Sequence, residues 1–201
     1  MKHQSTRLVF DYWNSKRDRR AAPSRADIDP AEIRHALSDT FMLAADFADQ
    51  LRFRLAGTRV CALFDREIKG ELFADFWDED SRGSIDELVE IVNDERVGVV
   101  AGLAARTEDG ARADLEMLLL PIAPVGHARV RAIGVLAPLT SPWWLGAKPV
   151  TALTLGALRH TQTGADLCIA PRIVPGTDSR IRHGFVVYSG GRKSAEEEST
   201  G

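Results

Sequence analysis

Residues 51–70, LRFRLAGTRVCALFDREIKG, limit what this chain can fold into. Leu51, Phe53 and Leu55 alternate with Arg52 and Arg54. That period of two predicts a half-buried antiparallel strand. Gly57 ends it. Thr58 offers a cap for a short helix over 59–64, whose apolar positions are Val60, Cys61, Leu63 and Phe64. Residues 65–68 read as a further turn that stops at Gly70. Helical pieces this short do not stand alone in water, so they must be held against a sheet.

The flanking pattern supplies that sheet. Residues 38–46, with Phe41, Met42 and Leu43, read as a strand that turns back into 51–55. Phe73, Phe76 and Trp77 form an aromatic cluster, and Ile85, Leu88, Val89, Ile91 and Val92 make the stripe of a longer helix from about residue 81 to 94. Three strands follow at 97–106, 113–122 and 130–139, the first two joined through Glu108, Asp109 and Gly110. Ahead of the sheet, residues 5–17 read as an amphipathic helix, and Asp29 followed by Pro30 starts a short helix to Leu37. Strands interrupted by one helical block predict an α+β domain, a five-stranded antiparallel sheet with short helices on one face. The expected organisation is an N-terminal helical extension over 1–37, a core over 38–140, an arm over 141–190 and a disordered tail over 191–201. Within the arm, 149–160 reads as a helix with Leu153, Leu155 and Leu158, 165–177 as loop, and 184–188 as a short strand.

Composition removes several classes of function. At 201 residues and a net charge of −3, the chain has no global electrostatic case for nucleic acid. The basic run at Lys16–Arg20 lacks interleaved aromatics and reads as a solvated helix end. No apolar run reaches the ~20 residues of a membrane span, and the first residues carry no secretory h-region. Cys61 and Cys168 lie far apart without metal spacing. Together these features place the chain in the cytoplasm, with buried thiols.

Several phrases occur in a particular order: YWNSKR at 12–17, PSRADIDP at 23–30, FRLAGTRVCALFDREIKG at 53–70, FADFW at 73–77, LLLPI at 118–122 and IGVLAP at 133–138. In this they resemble the alphaproteobacterial PAS_5 family of PAS domains, over residues ~5–150. The resemblance implies a five-stranded antiparallel sheet with helices framing a pocket, used for ligand sensing, dimerisation or partner binding. It implies no particular ligand and no catalytic activity.

A pocket between sheet and short helices would be lined by Phe53, Leu55, Val60, Phe64, Phe76, Leu118 and Ile133, unless these simply form a packed core. Arg59, beside Gly57 at a helix start, is the strongest candidate for a polar ligand contact. Haem is disfavoured because no histidine falls on the long helix; His35, His127 and His160 lie elsewhere. A light-sensing flavin is disfavoured because Cys61 sits in RVCAL without a preceding asparagine. No catalytic or metal motif occurs. The acidic patch Asp75, Asp78, Glu79 and Asp80 offers acid/base or cation chemistry on one reading, and a dipole-favoured helix start on the other. Leu8, Val9, Tyr12 and Trp13 on the first helix, with the adjacent Trp143 and Trp144, are the interface candidates. The sequence thus predicts a non-enzymatic sensory or regulatory module. It would bind a small ligand or a regulatory protein and form a homodimer, the alternatives being a structural adaptor with a filled core and an enzyme working at 75–80.

Overall fold

The computed structural model describes residues 1–48, 50–123 and 131–158, and the backbone of 159–161, Ser179–Arg182 and Phe185–Tyr188. Helix α1 spans Gln4–Arg17, followed by 3₁₀ turns at Arg25–Asp27, Pro30–Ile33 and Leu37–Asp39. Strands β1 (Thr40–Ala45) and β2 (Leu51–Ala56) lead to α2 (Thr58–Phe64), a 3₁₀ turn at Phe73–Phe76 and α3 (Glu79–Asp94). Then come β3 (Gly98–Thr107), β4 (Arg112–Pro121), β5 (Arg131–Pro138) and β6 (Val150–Thr161). These six strands form one antiparallel sheet in the order β2-β1-β5-β4-β3-β6. Two further strands, β7 (Ser179–Arg182) and β8 (Phe185–Tyr188), pair with each other.

The α+β class and the antiparallel sheet agree with the sequence pattern, but the strand count does not. Residues 149–160 do not form the predicted helix. They supply β6, which pairs with β3 along its length. A bulge between Ala101 and Leu103 sets Gly156 and Ala157 opposite the single residue Gly102. A Cβ on Gly156 would lie 2.6 Å from the Gly102 carbonyl oxygen, so only glycine fits there. The extra residue returns Leu158 to the face of Leu153 and Leu155, and all three pack on one core. Their spacing imitates a helix because the strand is bulged.

Two smaller predictions also change. Gly57 rather than Thr58 precedes the first turn of α2, and Asp65 ends it in the left-handed region at φ 53°, so 65–68 adds no helical turn. Residues 31–37 form 3₁₀ turns, the first capped by Asp29, whose carboxylate accepts from the Ala31 N–H at 2.9 Å. The predicted turn at Gly126 and His127, the loop at 165–177 and the tail at 191–201 lie outside the described residues.

The sheet is buried on both faces, with one core on each. On the first face, α2, the Phe73–Phe76 turn and α3 cover Phe41, Leu43, Phe53, Leu115, Met117 and Leu119. On the second, α1 and the turn at Pro30–Ile33 cover Val100, Leu118, Leu120, Ile133 and Val135 with Val9, Tyr12, Trp13 and Ile33. Alternation along β4 and β5 sends neighbouring residues to opposite cores. At Gly134 a Cβ would lie 2.3 Å from the Phe41 ring and 2.6 Å from the Leu118 carbonyl, so the ring occupies the space a side chain would take.

Candidate functional site

The first face is filled by rings. Phe41, Phe53, Phe64, Phe73, Phe76 and Trp77 form a continuous chain with centroid separations from 4.7 to 6.1 Å, mostly edge to face. Each such contact adds roughly 0.5–1.5 kcal/mol beyond the burial of its area. Phe53, Val60, Phe64 and Phe76, four of the expected pocket residues, are all buried in this cluster.

The other apolar candidates separate from them. Leu118 and Ile133 belong to the opposite core. Leu55 does not share the face of Phe53, because the β1–β2 register shifts between Met42 and Leu43. Arg54 is the extra residue there, and Leu55 pairs with Met42 instead. The expected lining therefore divides between two faces of the sheet and does not converge on one cavity.

An open recess lies on the second face, beyond the reach of α1. Its floor is a row of paired residues across three strands, Leu55 on β2, Met42 on β1 and Ile133 on β5. Its wall is the segment carrying Ile28, Pro30, Ile33 and Leu37. This groove has a volume of about 490 Å³, within the range of small-molecule sites. A second recess of about 360 Å³ continues it, sharing Arg25, Met42 and Leu55 and adding Ala44, Arg54 and Arg131. Arg34 lies on the rim of the larger recess, and among the described residues no carboxylate lines either one.

Arg59 belongs to a different, polar recess, of about 470 Å³, with His3, Ser5, Leu8, His35, Asp39 and Ser141. Its guanidinium holds both oxygens of Asp39 at 2.6 Å, and the Ser5 hydroxyl donates to Asp39 at 2.5 Å. Asp39 is 1% exposed, whereas the Arg59 side chain is 58% exposed. The hydrogen-bonded carboxylate holds the Arg59 guanidinium above its ordinary value. The arginine is thus already engaged by the fold, with one side of its fork outward.

Helix α1 is fastened along its length. Buried Glu116 on β4 accepts from the backbone N–H groups of Lys2 at 2.7 Å and His3 at 2.9 Å. Trp13 Nε1 donates to the Pro121 carbonyl at 2.8 Å, and the Asp29 N–H donates to the Tyr12 hydroxyl at 2.6 Å. Burial pushes the Glu116 carboxyl up, but the two backbone donors hold it below the ordinary glutamate value. Of the expected interface residues, Val9, Tyr12 and Trp13 are covered by their own sheet and Trp144 is also buried. Leu8 is half-buried, and Trp143 is 83% exposed with the Lys148 ammonium over its ring at 5.5 Å.

The acidic patch is tied to structure at its centre. Asp78 caps α3 by accepting from the Ser81 N–H at 3.0 Å and receives the Thr154 hydroxyl at 2.5 Å. Burial pushes its carboxyl up, and those donors more than offset this, so it stays below the usual range. Among the described residues, no three His, Cys, Asp or Glu side chains gather as metal ligands. Cys61 is buried, and burial raises its thiol above the ordinary value. No helix of the described residues is long and apolar enough to cross a membrane.

The fold and its sheet define a PAS-type module. The family model of the PAS_5 PAS domain matches residues 1–137, and the chain belongs to that family. PAS domains are in general sensory and regulatory modules. The chain is also similar in structure to the PAS domain of a protein from Colwellia psychrerythraea, at 16% identity and a TM-score of 0.38, over 55% of this chain and 97% of that one. No curated protein matches the chain.

Sequence reasoning missed Arg25, Arg34, Arg54 and Arg131 as a group. The one readable signal was Arg54 beside Leu55. The others lie up to 106 positions apart and meet only through the β1–β5 pairing and the 25–37 wall.

Proposed function

We propose that the chain is a non-enzymatic, cytoplasmic regulatory module that works by reversible binding on the second face of its sheet. A small ligand or a segment of a regulatory protein occupies the groove over Leu55, Met42 and Ile133, and occupancy shifts the affinity of the module for its partner. The observation that carries this reading is the contrast between faces: an aromatic chain fills one, and an arginine-rimmed recess opens on the other. Leu55 and Ile133 remain binding residues on this reading, while Phe53, Val60, Phe64 and Phe76 are core. The module pairs with a second copy through the surface around Leu8 and exposed Trp143.

The ring packing also supports a second reading, a structural adaptor that takes no ligand. Native mass spectrometry of the purified chain separates the two. A small molecule that co-purifies with the wild type and is lost from Leu55→Asp supports the groove. A chain that carries nothing in repeated preparations favours the adaptor. Mass in solution tests the pairing: Trp143→Glu is expected to shift a dimer to monomer, and an unchanged dimer contradicts that surface.

A further inference from the structure

The two recesses of the groove differ in chemistry. At the end beside Ala44, three guanidinium groups, Arg25, Arg54 and Arg131, line the smaller recess. Among the described residues, the guanidinium groups of Arg54 and Arg131 have no hydrogen-bond partner, and the Nε of Arg131 is buried without one. Arg25 donates one N–H to the Ile28 carbonyl at 3.2 Å, which leaves the rest of its fork available. A buried, unpaired guanidinium donor is costly, and an anion that accepts from it removes that cost. Leu55 and Met42 line both recesses, and Ile133 continues this apolar row as the floor of the larger one. With strands 4.7–4.9 Å apart, this row runs for about 10 Å.

We propose that the groove binds a free, single-chain amphipathic anion, with its carboxylate or phosphate on Arg25, Arg54 and Arg131 and its alkyl chain along Leu55, Met42 and Ile133. This rests on the reading of the groove given above and names its ligand class.

Charge separates this occupant from the alternatives. A neutral apolar ligand leaves the guanidinium groups unpaired. A peptide strand added at the sheet edge is blocked there, because β2 already pairs outward: the Phe53 N–H donates to Glu71 at 3.1 Å and the Gly70 N–H donates to Phe53 at 2.7 Å. The chain's own acidic run, Glu196–Glu198, has charge but no apolar residue to cover the floor.

Calorimetric titration of the full chain with decanoate, decanol and decyltrimethylammonium tests the proposal. Decanoate is expected to bind at least about tenfold more tightly than decanol, the scale of one charge-assisted contact, and the cation not to bind. Arg54→Glu is expected to weaken decanoate about tenfold and leave decanol unchanged; Leu55→Asp removes both. Both residues are exposed, so the variants are expected to fold, and near-UV circular dichroism checks it. Equal affinity for decanoate and decanol overturns the proposal. So does a decanoate affinity untouched by Arg54→Glu, binding to phosphatidylglycerol vesicles without binding of decanoate, or decanoate binding that appears only after residues 191–201 are removed. If no amphiphile binds while a co-purified molecule is still lost from Leu55→Asp, the ligand class fails and the groove stands. If that molecule survives Leu55→Asp, the groove itself fails.

Discussion

Asp39 shows how one buried charge organises its surroundings. Its carboxylate is 1% exposed and is satisfied by Arg59 and Ser5, so it ties α2, α1 and the turn before β1 together. Arg59→Ala leaves that carboxylate with the Ser5 hydroxyl alone. Because the arginine is more than half exposed, its replacement is expected to cost about 1–3 kcal/mol, below the range for fully buried pairs. Asp39→Asn added to Arg59→Ala is expected to restore part of the loss, read as a non-additive double-mutant cycle in urea unfolding; strict additivity contradicts the pairing. Glu116 gives a pH signature. Its native value lies below the ordinary glutamate value of 4.5, so the folded state favours the charged form. That contribution is complete above 4.5 and is lost as pH falls through the native value. Urea midpoints of wild type are therefore expected to drop on acidification below about 4.5, and those of Glu116→Gln to drop less; parallel curves contradict the role. Neither residue was legible as a partner in the sequence. Asp39 and Arg59 stand 20 positions apart, Glu116 and Lys2 114, and nothing local marks either pairing.

The elements repeat that lesson in their registers. Alternation over 51–55 correctly indicates a strand, and the stripe Ile85, Leu88, Val92 correctly indicates α3. A bulge, however, belongs to a pair of strands, and one strand's sequence does not contain it. The shift at Met42/Leu43 moves Leu55 to the face opposite Phe53, and the shift at Ala101/Leu103 makes β6 read as a helix. β6 also fastens α3: the Leu155 N–H donates to the Ser81 hydroxyl at 2.9 Å, and Thr154 donates to the capping Asp78. Ending the chain at residue 149 is therefore expected to strip the edge of β3, release α3 and lower the melting temperature sharply or leave the protein insoluble. A truncated chain that melts with the full-length protein contradicts β6 as part of the sheet.

Across the whole molecule, the sheet separates two interiors of different character. The phrases spread from Tyr12 to Pro138 made the family legible, and the residues that carry it form both cores. The position of an open site was not legible, because Phe53, Phe64 and Phe76 look equally suited to lining a cavity and to filling one. In the fold they fill it, with Phe64 and Phe76 centroids 4.7 Å apart and Phe53 and Phe76 5.2 Å apart. The opposite face holds the recess, under arginines that reach it from three separate stretches of chain. Methyl-resolved NMR during decanoate titration tests this division most directly. The account predicts shifts at Met42, Leu55 and Ile133, with Val60 and Leu63 unmoved; shifts centred on Val60 and Leu63 would contradict it.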